Sequence, residues 1–297
     1  MPELPDLAIL ADALDAALAG RPIESATVSQ SLVLRGTSGE LDALRGQKLT
    51  SLSRRGKFLL MELSRDDEHQ SGDRIIWNPM LTGRLGLAAP GGRPFAQTAA
   101  VLRFGARATD WPVVRTGWPA DTDWLPPADG PVELRYRDAT RMGKIYVLPV
   151  GVERAVAGWQ EQGPEADSAE LTVEAWRDRI SRHGGELKSL LRNQQFVAGI
   201  GNAYSDEILW AARLAPYRAR SSLTADEVDG LYRATREVLA WAIEELRRLV
   251  PPRLEVEQRR FLRVHGKGGE ACPRCGSTIS EVKAGGAVTN WCRTCQK

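Results

Sequence analysis

The chain is short of the residues that most often run hydrolytic chemistry. Among its 297 residues there are three histidines (His69, His183 and His265) and four cysteines. Three scattered histidines argue against a histidine-based catalytic machine. No run of 18 apolar residues occurs, so no transmembrane span is expected. The N-terminus lacks the charged-then-apolar pattern of a signal peptide, which points to a cytoplasmic setting. A net charge of +2 is too small to argue for nucleic acid by itself. What remains is the balance of a globular protein, 42% hydrophobic and 26% charged, long enough for two domains with cores of their own.

The four cysteines are not scattered. Cys272-Pro-Arg-Cys275 is followed after sixteen residues by Cys292-Arg-Thr-Cys295. Two such pairs at this separation predict one tetrahedral four-thiolate zinc site, and no thiol is left over. Two disulfides are the competing reading, and a cytosolic setting disfavours them. Charge collects in the same region: residues 253–297 hold nine Lys/Arg against four Asp/Glu. A basic, zinc-bearing tail suits a phosphate-binding surface.

The chain opens Met1-Pro2-Glu3-Leu4-Pro5-Asp6. Removal of Met1 would leave proline at the terminus, and its secondary amine can attack an electrophilic carbon and form an iminium. Glu3 is a carboxylate placed to handle protons beside that nucleophile. Asp6 is expected to cap a helix running to about Ala19, with Leu7, Leu10, Leu14, Ala17 and Leu18 as its apolar stripe. Residues 23–150 read mostly as short alternating strands, among them 57–63, 74–77, 101–104, 132–136 and 144–148, which suggests an antiparallel β-sandwich. Arg54-Arg55-Gly56-Lys57 falls on a turn before one strand. Residues 105–130, with three tryptophans and four prolines, read as a long ordered loop or insertion.

Residues 151–170 show no periodicity and are expected to be a linker. Helical patterns follow near 172–182, 186–193, 203–213 and 224–249, the last opened by a Thr224–Glu227 capping box. Between the second and third lies Val197-Ala-Gly-Ile-Gly201-Asn202, where glycines permit close backbone approach and a helix N-terminus offers free N–H groups to phosphate. The expected domains are therefore 1–150, 171–252 and 253–297.

Together these pieces resemble the formamidopyrimidine-DNA glycosylase / endonuclease VIII family. The resemblance rests on the Pro-Glu-Leu-Pro-Asp start, Arg55-Gly-Lys57, and Leu187-Lys-Ser-Leu-Leu-Arg-Asn-Gln194 leading into Gly199-Ile-Gly-Asn-Ala-Tyr-Ser-Asp-Glu207. Phe261-Leu-Arg-Val-His-Gly266 and the closing Cys-Arg-Thr-Cys-Gln296 complete it. It implies an α+β multidomain protein: an N-terminal β-sandwich, a helix–two-turn–helix domain and a zinc finger, with double-stranded damaged DNA held in the cleft between. It further implies a monomeric, bacterial-type, nucleoid-associated enzyme that flips the damaged nucleotide out of the stack. Pro2 would be the nucleophile, Glu3 the acid/base group and Lys57 an assisting lysine. Arg141, Lys188, Gly201 and Asn202 would meet DNA, and a single structural Zn2+ would sit on Cys272, Cys275, Cys292 and Cys295.

Several positions depart from the family pattern. Asn78-Pro-Met-Leu81 stands where His-Leu-Gly-Met is usual, and Asp138-Ala-Thr-Arg-Met-Gly143 where Asp-Pro-Arg-Arg-Phe-Gly is usual. The residues expected to fill the hole left by the flipped base become Leu81, Thr140 and Met142. The finger arginine five residues before the third cysteine is Ala287, and only residues 251–257 join the last helix to the strand entering the finger. These departures keep two alternatives open: a catalytically weak damaged-DNA-binding relative, or a zinc-ribbon module for RNA or protein.

Overall fold

The computed structural model describes residues 1–65, 71–109, 111, 118, 122–152, 156–284 and 286–297. Two compact units form: Met1–Pro2, Asp6–Ala157 and Arg247–Glu257 make the first, and Glu3–Pro5, Gly158–Leu246 and Gln258–Lys297 the second.

The first unit is built on two sheets. Helix α1 (Leu4–Leu18) precedes β1 (Ile23–Val28), β2 (Leu34–Arg35), the short α2 (Ser38–Asp42), β3 (Lys48–Arg55), β4 (Phe58–Ser64), β5 (Ser71–Asn78), β6 (Arg84–Ala88), β7 (Thr98–Phe104), β8 (Val132–Arg137) and β9 (Lys144–Leu148). One sheet has the order β1-β7-β8-β6 and the other β2-β9-β5-β4-β3. All pairings are antiparallel except β2 with β9. In β8 the apolar Val132, Leu134 and Tyr136 are buried at a period of two, and Arg135 between the last two is buried as well. Every strand anticipated from pattern is present, and β1, β2, β3 and β6 are additional.

Helix α1 begins at Leu4, so Asp6 lies inside its first turn and is not the cap. The five stripe residues are buried, but so are Ile9, Ala11 and Ala13, which makes the buried face wider than one stripe. Asp15 on α1 accepts from the Leu52 amide of β3 at 2.7 Å. Arg21 is fully buried, and its guanidinium donates to the carbonyls of Ala17, Gly105, Gly130 and Pro127. Burial, with Arg107 nearby, lowers its pKa to about 10. It thereby ties down both ends of the 105–130 segment, of which residues 110, 112–117 and 119–121 lie outside the described residues.

The second unit holds α3 (Val173–Arg182), α4 (Leu187–Arg192), α5 (Asn202–Ala211), most of α6 (Ala225–Leu249), and the hairpin of β10 (Ser280–Ala284) and β11 (Ala287–Trp291). The capping box forms: the Thr224 amide donates to Glu227 Oε2 at 2.9 Å, and the Glu227 amide to Thr224 Oγ1 at 3.3 Å. Part of the expected linker belongs to this unit's core. Ala166 is buried, and the amides of Gly163 and Ala166 donate to Gln194 and Ala198 carbonyls. A segment of turns and one short bridge gives no period to read, although part of it packs into the core. Among the described residues, no helix is long and apolar enough to cross a membrane.

Candidate functional site

Helix α5 organises the second unit. Every residue from Ala203 to Trp210 is buried, including Asp206 and Glu207. Its N-terminus receives the Glu3 carboxylate: Gly201 N donates to Oε2 at 2.7 Å, Ala203 N to Oε1 at 2.8 Å and Tyr204 N to Oε2 at 3.2 Å. The first amides of a helix have no intrahelical acceptor, and their aligned dipoles favour an anion. Gly201 allows the approach, since a Cβ there would lie 2.5 Å from Glu3 Cδ. Glu3 is thus fixed at 2% exposure, beside the nitrogen of Pro2 in the chain.

The side of α5 near the finger is equally determined. Asn202 donates from Nδ2 to the Val288 carbonyl of β11 at 2.8 Å. Its amide nitrogen keeps a second N–H that this bond does not use. Asp206 accepts from His265 Nδ1 at 2.8 Å and from the Asn290 amide at 3.1 Å. Glu207 accepts from the amides of Arg263, Val264 and His265. Burial pushes its carboxyl pKa up, against those three bonds. Two acids in an otherwise apolar helix were the sequence signal for such partnered carboxylates, because a buried charge without partners is too costly to keep.

Lys188 is placed otherwise than the resemblance implied. It is 4% exposed, and Nζ donates to Asp206 Oδ1 at 2.6 Å, Val288 O at 2.9 Å and Thr289 Oγ1 at 3.0 Å. Burial lowers its pKa while Asp206 opposes the shift. An ammonium has three donors, and these three bonds take them all. Lys188 therefore fastens α4 to α5 and β11 and has no donor left for phosphate in this arrangement.

The four cysteines converge at the open end of the β10–β11 hairpin, with their sulfurs all within 4.8 Å of one another. Cys272 and Cys295 Sγ are 4.0 Å apart, and Cys275 and Cys292 Sγ 3.5 Å. Four thiolates about 2.3 Å from zinc stand about 3.8 Å from one another, so the cluster fits one tetrahedral ion. These residues form one structural zinc site. Trp210 of α5 donates from Nε1 to Cys272 Sγ at 3.4 Å, which joins the site to the same helix.

In the first unit, β3 and β4 pair Arg55 with Phe58, leaving Gly56-Lys57 as a two-residue turn. Gly56 adopts φ +54, as the first position of a type II′ hairpin requires. Lys57 therefore rides on a tight tip. Pro2 is buried, and the Met1 ammonium lies 3.5 Å from Glu257, which also pairs with Arg84 at 2.9 Å.

Two loops of the same unit carry Leu81, Thr140, Arg141 and Met142. Asp138, 1% exposed, accepts from Gly143 N at 2.8 Å, Thr140 N at 3.2 Å, Thr140 Oγ1 at 3.1 Å and the Thr82 hydroxyl. Burial works to raise its pKa, but the bonds from Thr82, Gly143 and Thr140 prevail and hold it below the ordinary value. The hydroxyl oxygens of Thr140 and Thr82 also lie 2.8 Å apart, but each has one proton, which goes to Asp138. The Thr140 amide links the loops by donating to Thr82 Oγ1 at 3.1 Å. Leu81 and Met142 are 48% and 44% exposed. Thr140 is exposed as well, while its hydroxyl bonds back to Asp138 and its amide to Thr82, within its own pair of loops.

Three comparisons bear on this architecture. Residues 1–145 match the formamidopyrimidine-DNA glycosylase N-terminal domain, 162–249 the formamidopyrimidine-DNA glycosylase H2TH domain, and 269–297 the zinc finger found in FPG and IleRS. The chain is 30% identical to the formamidopyrimidine-DNA glycosylase of Pelotomaculum thermopropionicum, covering all of this chain and 99% of that protein. It is 28% identical to the protein of the same name from Carboxydothermus hydrogenoformans, with both fully covered. Among solved structures, Lactococcus lactis Fpg in complex with DNA containing N7-benzyl-Fapy-dG superposes with a TM-score of 0.80 at 25% identity, both chains fully covered. A Lactococcus lactis Fpg complex with abasic-site DNA shares the fold at a TM-score of 0.78 and 24% identity over 99% of each chain. By these matches the chain belongs to the formamidopyrimidine-DNA glycosylase family.

Proposed function

We propose that the chain is a bifunctional DNA glycosylase and abasic-site lyase of base-excision repair, acting as a monomer on double-stranded DNA with oxidised or ring-opened bases, in a bacterial-type cytoplasm. The observation that carries this reading is the Glu3 carboxylate, fixed by three backbone amides one residue after a proline whose nitrogen becomes a secondary amine once Met1 is removed. A carboxylate fixed this way keeps its place while the amine beside it reacts. The Pro2 nitrogen attacks C1′ of the extruded nucleotide, the C1′–N bond breaks and the base leaves with a proton. Opening of the C1′–O4′ bond gives the iminium, with Glu3 and Lys57 moving protons. Loss of a C2′ proton then expels the 3′-phosphate, and water releases Pro2. Arg141 and the free N–H of Asn202 would hold backbone phosphates. Zinc takes no part in these steps and only holds the ribbon.

Borohydride trapping on duplex DNA with a single abasic site tests the reading. A covalent adduct that disappears when the N-terminus is extended by one residue supports Pro2 as nucleophile. Binding without an adduct would indicate a damaged-DNA-binding relative. Because Ala287 supplies neither charge nor donor, cleavage is expected to stop largely after β-elimination, leaving an unsaturated sugar end. A predominance of 3′-phosphate ends on a gel would refute that part.

A further inference from the structure

The loop between β8 and β9 is held from both of its polar sides. The Asp138 carboxylate takes the amides of Thr140 and Gly143. On the opposite side, Lys144 turns its ammonium back along the chain and donates to Met142 O at 2.8 Å, Gly143 O at 3.1 Å and Arg141 O at 3.5 Å. An anion therefore holds the loop's N–H groups and a cation holds its carbonyls. At the apex Arg141 adopts φ +57, a left-handed conformation that a non-glycine residue does not take unless its surroundings impose it. The second loop repeats the theme: Met80 has φ +52, and the next residue is Leu81. Thr82 and Thr140 join the two loops: both hydroxyls donate to Asp138, and the Thr140 amide donates to Thr82 Oγ1 at 3.1 Å. The result is a pair of apolar tips, Leu81 and Met142, held above a polar lattice, with Arg84, Arg141 and Lys144 close by in sequence.

We propose that Lys144 and Thr140 are positioning residues, which preset these two loops so that Met142 and Leu81 enter a DNA base stack together. The proposal rests on the reading of the chain as a DNA glycosylase and adds to it which groups aim the wedge. Exposed, rigidly mounted apolar side chains beside cationic ones suit insertion between bases, where the apolar group unstacks a step and the cations meet the backbone. The three donors of Lys144 are taken by carbonyls of its own loop, so it fixes the loop's geometry. Thr140 occupies a position expected to fill the hole left by the flipped base. Its hydroxyl is committed to Asp138 and its amide donates to Thr82 Oγ1, so it acts through its neighbours.

The test uses the full-length, zinc-loaded protein and variants K144M, T140V and T140S. The probe is a duplex with 2-aminopurine next to a tetrahydrofuran abasic analogue, whose fluorescence rises as the base unstacks. Wild-type protein is expected to raise it, and K144M and T140V to reduce the rise at least threefold. The ratio of base release from an oxidised duplex to borohydride trapping on abasic DNA should fall by up to about a hundredfold, the loss a misplacement of about 1 Å can cause. T140S, which keeps the hydroxyl, should restore both. Zinc content and melting temperature identify a variant that fails to fold, and the other variant then carries the test. Wild-type fluorescence and ratio in both variants would overturn the proposal. So would a K144M salt-dependence slope lowered by about one charge equivalent, because Lys144 would then be a phosphate contact. Failure of the glycosylase reading is distinguishable: wild-type protein would trap nothing on abasic DNA, while the fluorescence arm would still report whether the loops unstack a base.

Discussion

Replacing Lys188 by methionine separates a buried strut from a surface DNA contact. The substitution keeps the aliphatic stem and removes the ammonium that reaches Asp206, Val288 and Thr289. Asp206, whose side chain is 0% exposed, would be left with its bonds from His265 and the Asn290 amide. Removing one partner of a buried pair costs roughly 3–5 kcal/mol. The two surviving donors place the expected loss near the lower end, about 3 kcal/mol, or a fall in Tm of roughly 6–12 °C for a unit of this size. The double variant K188M/D206N removes the stranded charge and should recover about 1–2 kcal/mol of that loss, a coupling that a mutant cycle measures. The assay is thermal unfolding in zinc-saturated buffer, with DNA affinity measured across a salt series. A stability loss below about 1 kcal/mol, together with a salt slope reduced by about one charge equivalent, would refute the strut and restore Lys188 as a DNA contact.

Two further outcomes follow from the geometry. Cys292→Ser should release zinc and unfold the ribbon, since zinc contributes roughly 10–16 kcal/mol in small four-ligand domains; retained DNA affinity in zinc-free protein would remove the finger from the DNA-binding surface. Gly201→Ala should displace the Glu3 carboxylate, because the new Cβ would lie 2.5 Å from its Cδ. Trapping on abasic DNA is then expected to drop at least tenfold at unchanged zinc content, the scale on which misplaced catalytic groups lose rate, and a wild-type yield would show that the amide cradle is dispensable.

The elements that were legible in the sequence are those whose signal is local. Paired cysteines at fixed spacing announce their metal because a tetrahedral site needs four thiolates and a chain that can fold back between them. Thr224 and Glu227 cap a helix whose opening turn they share, and Gly56 marks a two-residue turn because that position demands a positive φ. The pattern also misled in places. Ala166 sits in a core without belonging to any periodic segment, and helix α1 starts two residues before the aspartate that looked like its cap.

Tertiary structure decided everything that depends on which distant groups meet. Glu3 and the amides of Gly201, Ala203 and Tyr204 lie about two hundred residues apart, and no spacing rule connects them. Lys188 is a basic residue on a short helix and reads equally well as a phosphate ligand or a buried strut. Only the arrival of Asp206 and β11 around its ammonium selects between them. The same holds for Thr140 and Lys144, whose polar atoms turn toward Asp138, Thr82 and the carbonyls of their own loop. The sequence by itself determined the chemical inventory: a terminal proline once Met1 is lost, an adjacent carboxylate, four thiolates and the order of the domains. Whether a charged group faces DNA or the protein was left to folding, because a charge takes its role from the partners that desolvate it, and those partners come together only in three dimensions.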